Sequence, residues 1–326
     1  MTKSRLLLAS LLLVTVFGEP RAAQPQPPRT YRVGVVLQGG SYSEAVDGLR
    51  DGLRELGLAE GKQVIILVHD AKGDLKSIEA AARRFEDDKV DLIYAVATSV
   101  ALATKRVTKH VPIVFYAGTD PVTVGLVETY GKPGGRLTGI HGQLTDLTGK
   151  RLQVMKEMLP KLRRVVTFYN PENPAAQQSL KLARDAARGM KVELMERHVA
   201  TVEELRTGLR DLRPGEADGL FYVSDAMVGS QEDLLIATAL AKKLPMLLTN
   251  KGSALKGALA SYGESYFTLG RLSAKHVRRI LLGADPANLP VEKLDRPQLV
   301  INLKTAKALG VTFPRSILAR ADEIIQ

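Results

Sequence analysis

From Arg32 onward the chain alternates short apolar runs with longer stretches whose apolar positions recur every three or four residues. The runs at 33–37, 64–68, 92–96 and 113–116 are rich in β-branched residues and bounded by glycine or polar residues, so they predict fully buried strands. Between them the spacing predicts helices. In the first of these, Val46, Leu49, Leu53 and Leu56 fall on one stripe, and Gly57 ends it. After a linking stretch the pattern restarts with strands at 164–169, 191–195, 218–223 and 245–249, whose first residues are each 27 positions apart. One strand, one helix and two short loops fill such a unit. The alternation predicts an α/β protein made of two doubly wound parallel-sheet lobes with a cleft between them.

In open sheets of this kind, ligands sit beyond the carboxyl ends of the strands, where helix N-termini aim N–H groups outward. The polar residues at those ends are therefore the candidate site. In the first half they read Gln38-Gly39-Gly40-Ser41-Tyr42, Ala97-Thr98-Ser99 and Gly118-Thr119-Asp120-Pro121. In the second they read Asn170-Pro171-Glu172-Asn173, Ser224-Asp225, Asn250-Lys251 and Tyr262-Gly263-Glu264. Ser, Asn and Asp are also what helix caps prefer, so any one of these positions has two readings. Seven polar ends converging on one edge predict a ligand cleft, with Ser41, Tyr42, Thr98, Ser99, Asp120, Asn170, Asp225, Asn250 and Tyr262 as its contacts.

The 326 residues are 45% hydrophobic and 25% charged, which is globular usage and excludes a disordered or coiled-coil chain. There is no cysteine, which rules out disulfides, thiolate metal sites, thiol nucleophiles and lipid attachment through a thioether. The formal charge of +11 is scattered rather than clustered, and there is no tryptophan and no aromatic RNA-binding box, so nucleic acid is not an expected partner. Lys3 and Arg5 precede an apolar run over 6–17, and small residues follow at 18–23. That pattern predicts a signal peptide over 1–23, too short in its apolar run for a membrane span. Residues 24–30 then form a Pro- and Gln-rich spacer. Removing residues 1–23 takes away three basic residues and one acidic one, leaving +9 on an exported, periplasmic protein.

Enzyme templates fail. Residues 39–43 read GGSYS rather than G-x-S-x-G, and there is no H-E-x-x-H. His69, His110, His141, His198 and His276 are never four apart, and no G-x-G-x-x-G follows the first strand. The Gly-Lys pairs within 125–133 and 142–151 lack phosphate-loop spacing. Asp225 with Glu264 could serve as an acid/base pair, but carboxylates beside a cleft serve equally to hold a ligand ammonium. No enzymatic activity, cofactor or metal is expected.

Four stretches carry a specific resemblance: VPIVFYAGTDPVTVGLV (111–127), RLTGIHGQ (136–143), KGALASYGESYFTLGRLSA (256–274) and INLKTAKALGVTFPRSILARADEII (301–325). They resemble the ABC-transporter substrate-binding proteins with the type I periplasmic-binding fold, whose described members resemble tryptophan or tyrosine transport receptors. The resemblance covers residues 31–326. It implies a monomer of two lobes joined by three crossovers, near 141–145, 262–264 and 284–291, closing on a small molecule and delivering it to an ABC permease. Lobe 1 would then comprise 31–141 plus 265–284, and lobe 2 144–262 plus 291–326. For an amino acid, the resemblance implies Ser41, Thr98 and Ser99 on the carboxylate, Asp225 on the ammonium, and Tyr42 or Tyr262 against the side chain. The chain departs from its relatives at Ser224-Asp225-Ala226, where they often read Thr-Asp-Asn, and at Lys251, which would favour an anionic group. A sensor that signals to a membrane kinase or cyclase would use the same residues, and is the alternative reading.

Overall fold

The computed structural model describes residues 29–294 and 296–326. The expected signal peptide and nearly all of the spacer lie outside them. In the first half, β1 (Tyr31–Leu37), α1 (Ser43–Glu55), β2 (Val64–Asp70), α2 (Leu75–Asp87), β3 (Leu92–Val96), α3 (Thr98–Val107), β4 (Ile113–Ala117) and β5 (Leu137–Gly142) follow in turn. Next come α4 (Thr148–Met158), β6 (Arg164–Tyr169), α5 (Pro174–Met190), β7 (Glu193–His198), α6 (Val202–Asp211), β8 (Gly219–Phe221), α7 (Ala226–Ser230) and α8 (Glu232–Ala241). The chain closes with β9 (Met246–Leu248), α9 (Lys251–Leu255), β10 (Ala260–Gly263), α10 (Tyr266–Leu281), β11 (Glu292–Leu294), β12 (Gln298–Asn302), α11 (Leu303–Leu309), α12 (Arg315–Leu318) and β13 (Glu323–Ile325).

These strands form two sheets, ordered β11-β5-β4-β3-β1-β2 and β13-β12-β10-β9-β8-β6-β7. Counted within its own half, each sheet has the same inner order, 2-1-3-4-5, with neighbours parallel. The order reverses between β1 and β3 in one lobe and between β6 and β8 in the other. Those are the two places where loops splay apart and leave room for a ligand. β3, β4 and β5 are buried along their whole length, as a sheet covered on both faces requires.

Three differences from the expected elements have local causes. β7 begins at Glu193 rather than 191 because α5 ends with Lys191 in the left-handed conformation, φ 54°, which turns the chain before the strand starts. β12 runs antiparallel to β10, so the second sheet is not wholly parallel. The boundary expected at 291 is also misplaced. Glu292–Leu294 pair with Ile140, His141 and Gly142 of β5 and complete the first sheet, so the chain is still in the first lobe at Leu294.

α10 returns to the first lobe and lies directly on α1. The contact depends on glycine: a Cβ at Gly48 would overlap the carbonyl oxygen of Phe267, and one at Gly270 that of Ala45. Leu269, Ala274, Val277 and Ile280 of α10 thereby join the core of the first lobe with Val46, Leu49 and Leu53. The second lobe has one core on each face of its sheet, around Leu152, Met155 and Leu180 and around Phe168, Leu205 and Leu235.

Candidate functional site

The loops that follow β1, β3, β6 and β8 face one another between the lobes. They enclose an inner cavity of about 20 Å³, walled by Tyr42, Thr98, Ser99, Tyr116 and Thr119 from one lobe and by Asn173, Ser224 and Ala226 from the other. Ser99 and Asn173 also line an outer hollow of about 860 Å³, together with Gln38, Asn170 and Asp225. The inner cavity has room for about one water molecule, so a larger ligand enters only when the lobes part.

In the first lobe, Gly39 and Gly40 take φ of +93° and +61°, which lets the chain leave β1 and turn at once into α1. Ser41 and Tyr42 are carried into the interface by that turn, and the Ser41 hydroxyl is buried without a hydrogen-bond partner. After β3, Ala97 is held at φ +105°, a conformation that L residues avoid at a cost of about 1–3 kcal/mol. This kink aims the first turn of α3 at the cavity. No side chain caps that turn, and the Ser99 hydroxyl beside it is also unpartnered. Thr98 Oγ1 accepts from Thr119 N at 3.2 Å and keeps its own proton to donate. The side-chain oxygen of Gln38, Oε1, and the Tyr116 hydroxyl are likewise buried without a partner.

The second lobe is arranged differently. Asp225 is wholly buried and caps α7, accepting from Val228 N at 3.1 Å and from Asn170 N at 2.9 Å. The Asn173 side chain also donates to it while capping α5 through Ala175 N. Burial pushes the Asp225 carboxyl up, and the groups hydrogen-bonded to it are neutral amides that offset only part of the cost. Behind the cavity, Tyr42 packs on Tyr266 with ring centroids 4.9 Å apart and the rings tilted by 37°, and Tyr116 meets Tyr266 edge-on at 5.8 Å. Desolvation raises all three phenols, which stay neutral.

Arg151, fully buried on α4, donates to Leu144 O at 2.6 Å and to Thr148 Oγ1 at 3.0 Å, and reaches Ser224 Oγ at 3.5 Å. It therefore ties the first crossover to the loop after β8. Burial lowers its pKa to about 10, so it remains charged at neutral pH.

Of the nine expected contacts, Tyr42, Thr98 and Ser99 line the inner cavity, and Ser99, Asn170 and Asp225 line the outer hollow. Ser41 lies in the turn behind them. Asp120 does not reach the cavity: its carboxylate accepts from Val122 N, Thr123 N and Tyr130 Oη, and so stabilises a turn. Tyr262 packs on the core of the second lobe instead, and the tyrosine behind the cavity is Tyr266. Asn250 spans the lobes rather than facing the cavity, donating to Glu44 Oε1 at 2.7 Å. Lys251 pairs with Glu323 at 2.6 Å and supplies no charge to the cleft. Gln38, Tyr116, Thr119, Asn173, Ser224 and Arg151 were not among the nine expected contacts.

The model of the ABC transporter substrate-binding proteins matches residues 31–325. The chain belongs to that family. This substrate-binding protein is 29% identical over 294 residues to a protein named "Tyrosine-binding protein" from Clostridioides difficile strain R20291, covering 90% of this chain and 84% of that one. It is similar in structure to an ABC domain in complex with L-Trp from Streptococcus pneumonia, at 24% identity and a TM-score of 0.80 over 91% of this chain and all of that one. Against the ligand-free, open structure of CD0873, a substrate-binding protein from Clostridium difficile, the TM-score is 0.60 at 26% identity and the same coverage. Among the described residues, no helix is long and apolar enough to cross a membrane.

Proposed function

We propose that this protein is the exported receptor of an ABC importer, that it shuts on a free α-amino acid with an aromatic or large apolar side chain, and that the shut form delivers that ligand to a membrane permease. One observation carries the reading. An uncapped helix N-terminus and unpartnered hydroxyls in one lobe lie across the cleft from a buried carboxylate in the other. Carboxylates bind favourably at helix N-termini, where free N–H groups and the helix dipole act together. The ligand carboxylate sits on the first turn of α3, with Thr98 and Ser99 donating to it. Its ammonium meets Asp225, whose burial makes an incoming cation favourable. Tyr42 and Tyr116 pack on the side chain. The Clostridioides relative, named for tyrosine binding, supports the ligand class. No bond is made or broken; the mechanism is closure about the three crossovers, with the second lobe adding contacts only when shut. Both halves of the site belong to one chain, so a monomer suffices. The basic and apolar start of the sequence, over 1–23, supports export to the periplasm.

The test is a thermal-shift screen of the protein lacking residues 1–23 against amino acids, nucleosides, sugars and small carboxylates. Ligand at roughly 100 times its Kd stabilises by about 2.7 kcal/mol, a shift of a few degrees in a protein of this size. The expected result is a saturable shift with tyrosine, tryptophan or phenylalanine that disappears when the same amino acid is N-acetylated. Shifts confined to sugars or nucleosides, or an undiminished shift with the N-acetyl compound, would overturn the reading.

A further inference from the structure

Asn250 was expected to touch ligand, but its amide is occupied elsewhere. Nδ2 donates to Oε1 of Glu44, in the first turn of α1, at 2.7 Å, so the bond runs from one lobe to the other. Asn250 is 1% exposed, and its Oδ1 is buried without a partner. The fit around Glu44 is close: a Cβ on Gly252, in the first turn of α9, would overlap the Glu44 carboxylate. Neither Glu44 nor Asn250 lines the inner cavity or the outer hollow. We propose that Glu44 and Asn250 form a latch between the lobes, a contact made only in the shut form that lengthens the time the cleft stays closed. This step rests on closure of the two lobes and not on the identity of the ligand.

The chemistry of the pair gives the latch a signature. An ionised Glu44 only accepts, and leaves Asn250 Oδ1 unsatisfied; a protonated Glu44 donates to that oxygen and makes a two-bond acid–amide pair. The charged groups around it are Asp47 on α1, Glu232 on α8 and Lys256 just after α9, with Glu232 bonded to Ser253 Oγ at 2.7 Å and to Lys256 at 3.2 Å. Burial raises the Glu44 carboxyl, Asp47 and Glu232 push in the same direction, and Lys256 and the Asn250 bond oppose them. Opening returns Glu44 toward the ordinary carboxylate range, so shutting the lobes takes up a proton. Acid therefore favours the shut form, and the effect fades as pH rises through the pKa that Glu44 has when shut.

The protein has no cysteine, so one engineered cysteine on an exposed position of each lobe accepts a spin label without interference. Inter-lobe distances measured by pulsed electron resonance, without ligand, at pH 4.5 to 8 test the latch directly. The wild type is expected to show a shut distance whose share grows on acidification. Glu44→Ala and Asn250→Ala are each expected to lower the shut-to-open ratio roughly tenfold, and the double variant no further. Glu44→Gln, which can pair with the Asn250 amide at any pH, should keep the shut share and lose its pH dependence. A wild type without the shut distance, alanine variants that leave it unchanged, or an unaltered pH profile in Glu44→Gln would overturn the latch. Because no ligand enters the measurement, failure here is separate from failure of the amino-acid assignment.

Discussion

The two lobes share one strand order and bring corresponding loops to the cleft, yet their polar groups are in opposite states. On the second lobe Asp225, Asn170 and Asn173 are bonded to one another's amides, and α5 and α7 both have side-chain caps. On the first lobe Gln38, Ser41, Ser99 and Tyr116 each hold a buried, unpartnered oxygen, α3 is uncapped, and Ala97 is strained. Unmet buried hydrogen-bonding groups cost about 1–3 kcal/mol each. The second lobe is thus a finished half-site that presents charge. The first is an incomplete half-site, whose unmet groups the proposed ligand would relieve. Equal topology does not imply an equal share in recognition.

Removing the charge of the finished half breaks the comparison most sharply. Asp225→Asn keeps an oxygen to cap α7, and is expected to weaken binding of an ammonium-bearing ligand by about 2–5 kcal/mol in calorimetric titration. Wild-type affinity in that variant would remove Asp225 from the site. A smaller effect is expected from Gly40→Ala. The added Cβ would lie 2.7 Å from Ser230 O of the opposite lobe at φ +61°, so closure should lose about 1–2 kcal/mol, read as a weaker Kd with little change in secondary structure. The mildest pair compares the halves directly by thermal melting and titration. Asn173→Ala should cost about 1 kcal/mol of stability without ligand, because α5 loses its cap. Ser99→Ala should raise ligand-free stability by about 1 kcal/mol, because a buried hydroxyl without a partner is removed, while costing about 1 kcal/mol of affinity. A reversed pattern would mean that the first lobe, not the second, is the finished one.

What could be read from the sequence follows from the sheet order. Loops after the first and third strands of each half flank the switch point, so Tyr42, Ser99, Asn170 and Asp225 could be found from strand ends alone. Asp120 follows the fourth strand, one place further from the switch, and its short side chain closes its own turn before it can reach the cleft. Tyr262 ends a strand too, but its ring turns to the core, and Tyr266 takes the place behind the cavity only because α10 folds back onto α1. Tyr116 sits inside an apolar run and Arg151 inside a helix; nothing local separates either from an ordinary core or surface residue. The β11 strand, Glu292–Leu294, is too short and too polar to announce itself, and it exists only because β5 offers an edge.

That late strand and α10 bear on how the molecule is made. The first lobe has its five inner strands once residue 142 has been synthesised, but the helix that covers α1 and the strand that closes its sheet come from 266–281 and 292–294. Its apolar face stays open while the ribosome adds more than a hundred residues, the bulk of the other lobe among them. Contacts of such wide sequence separation slow folding and leave sticky intermediates. The lobe that begins first therefore cannot finish before residues 266–294 are in place.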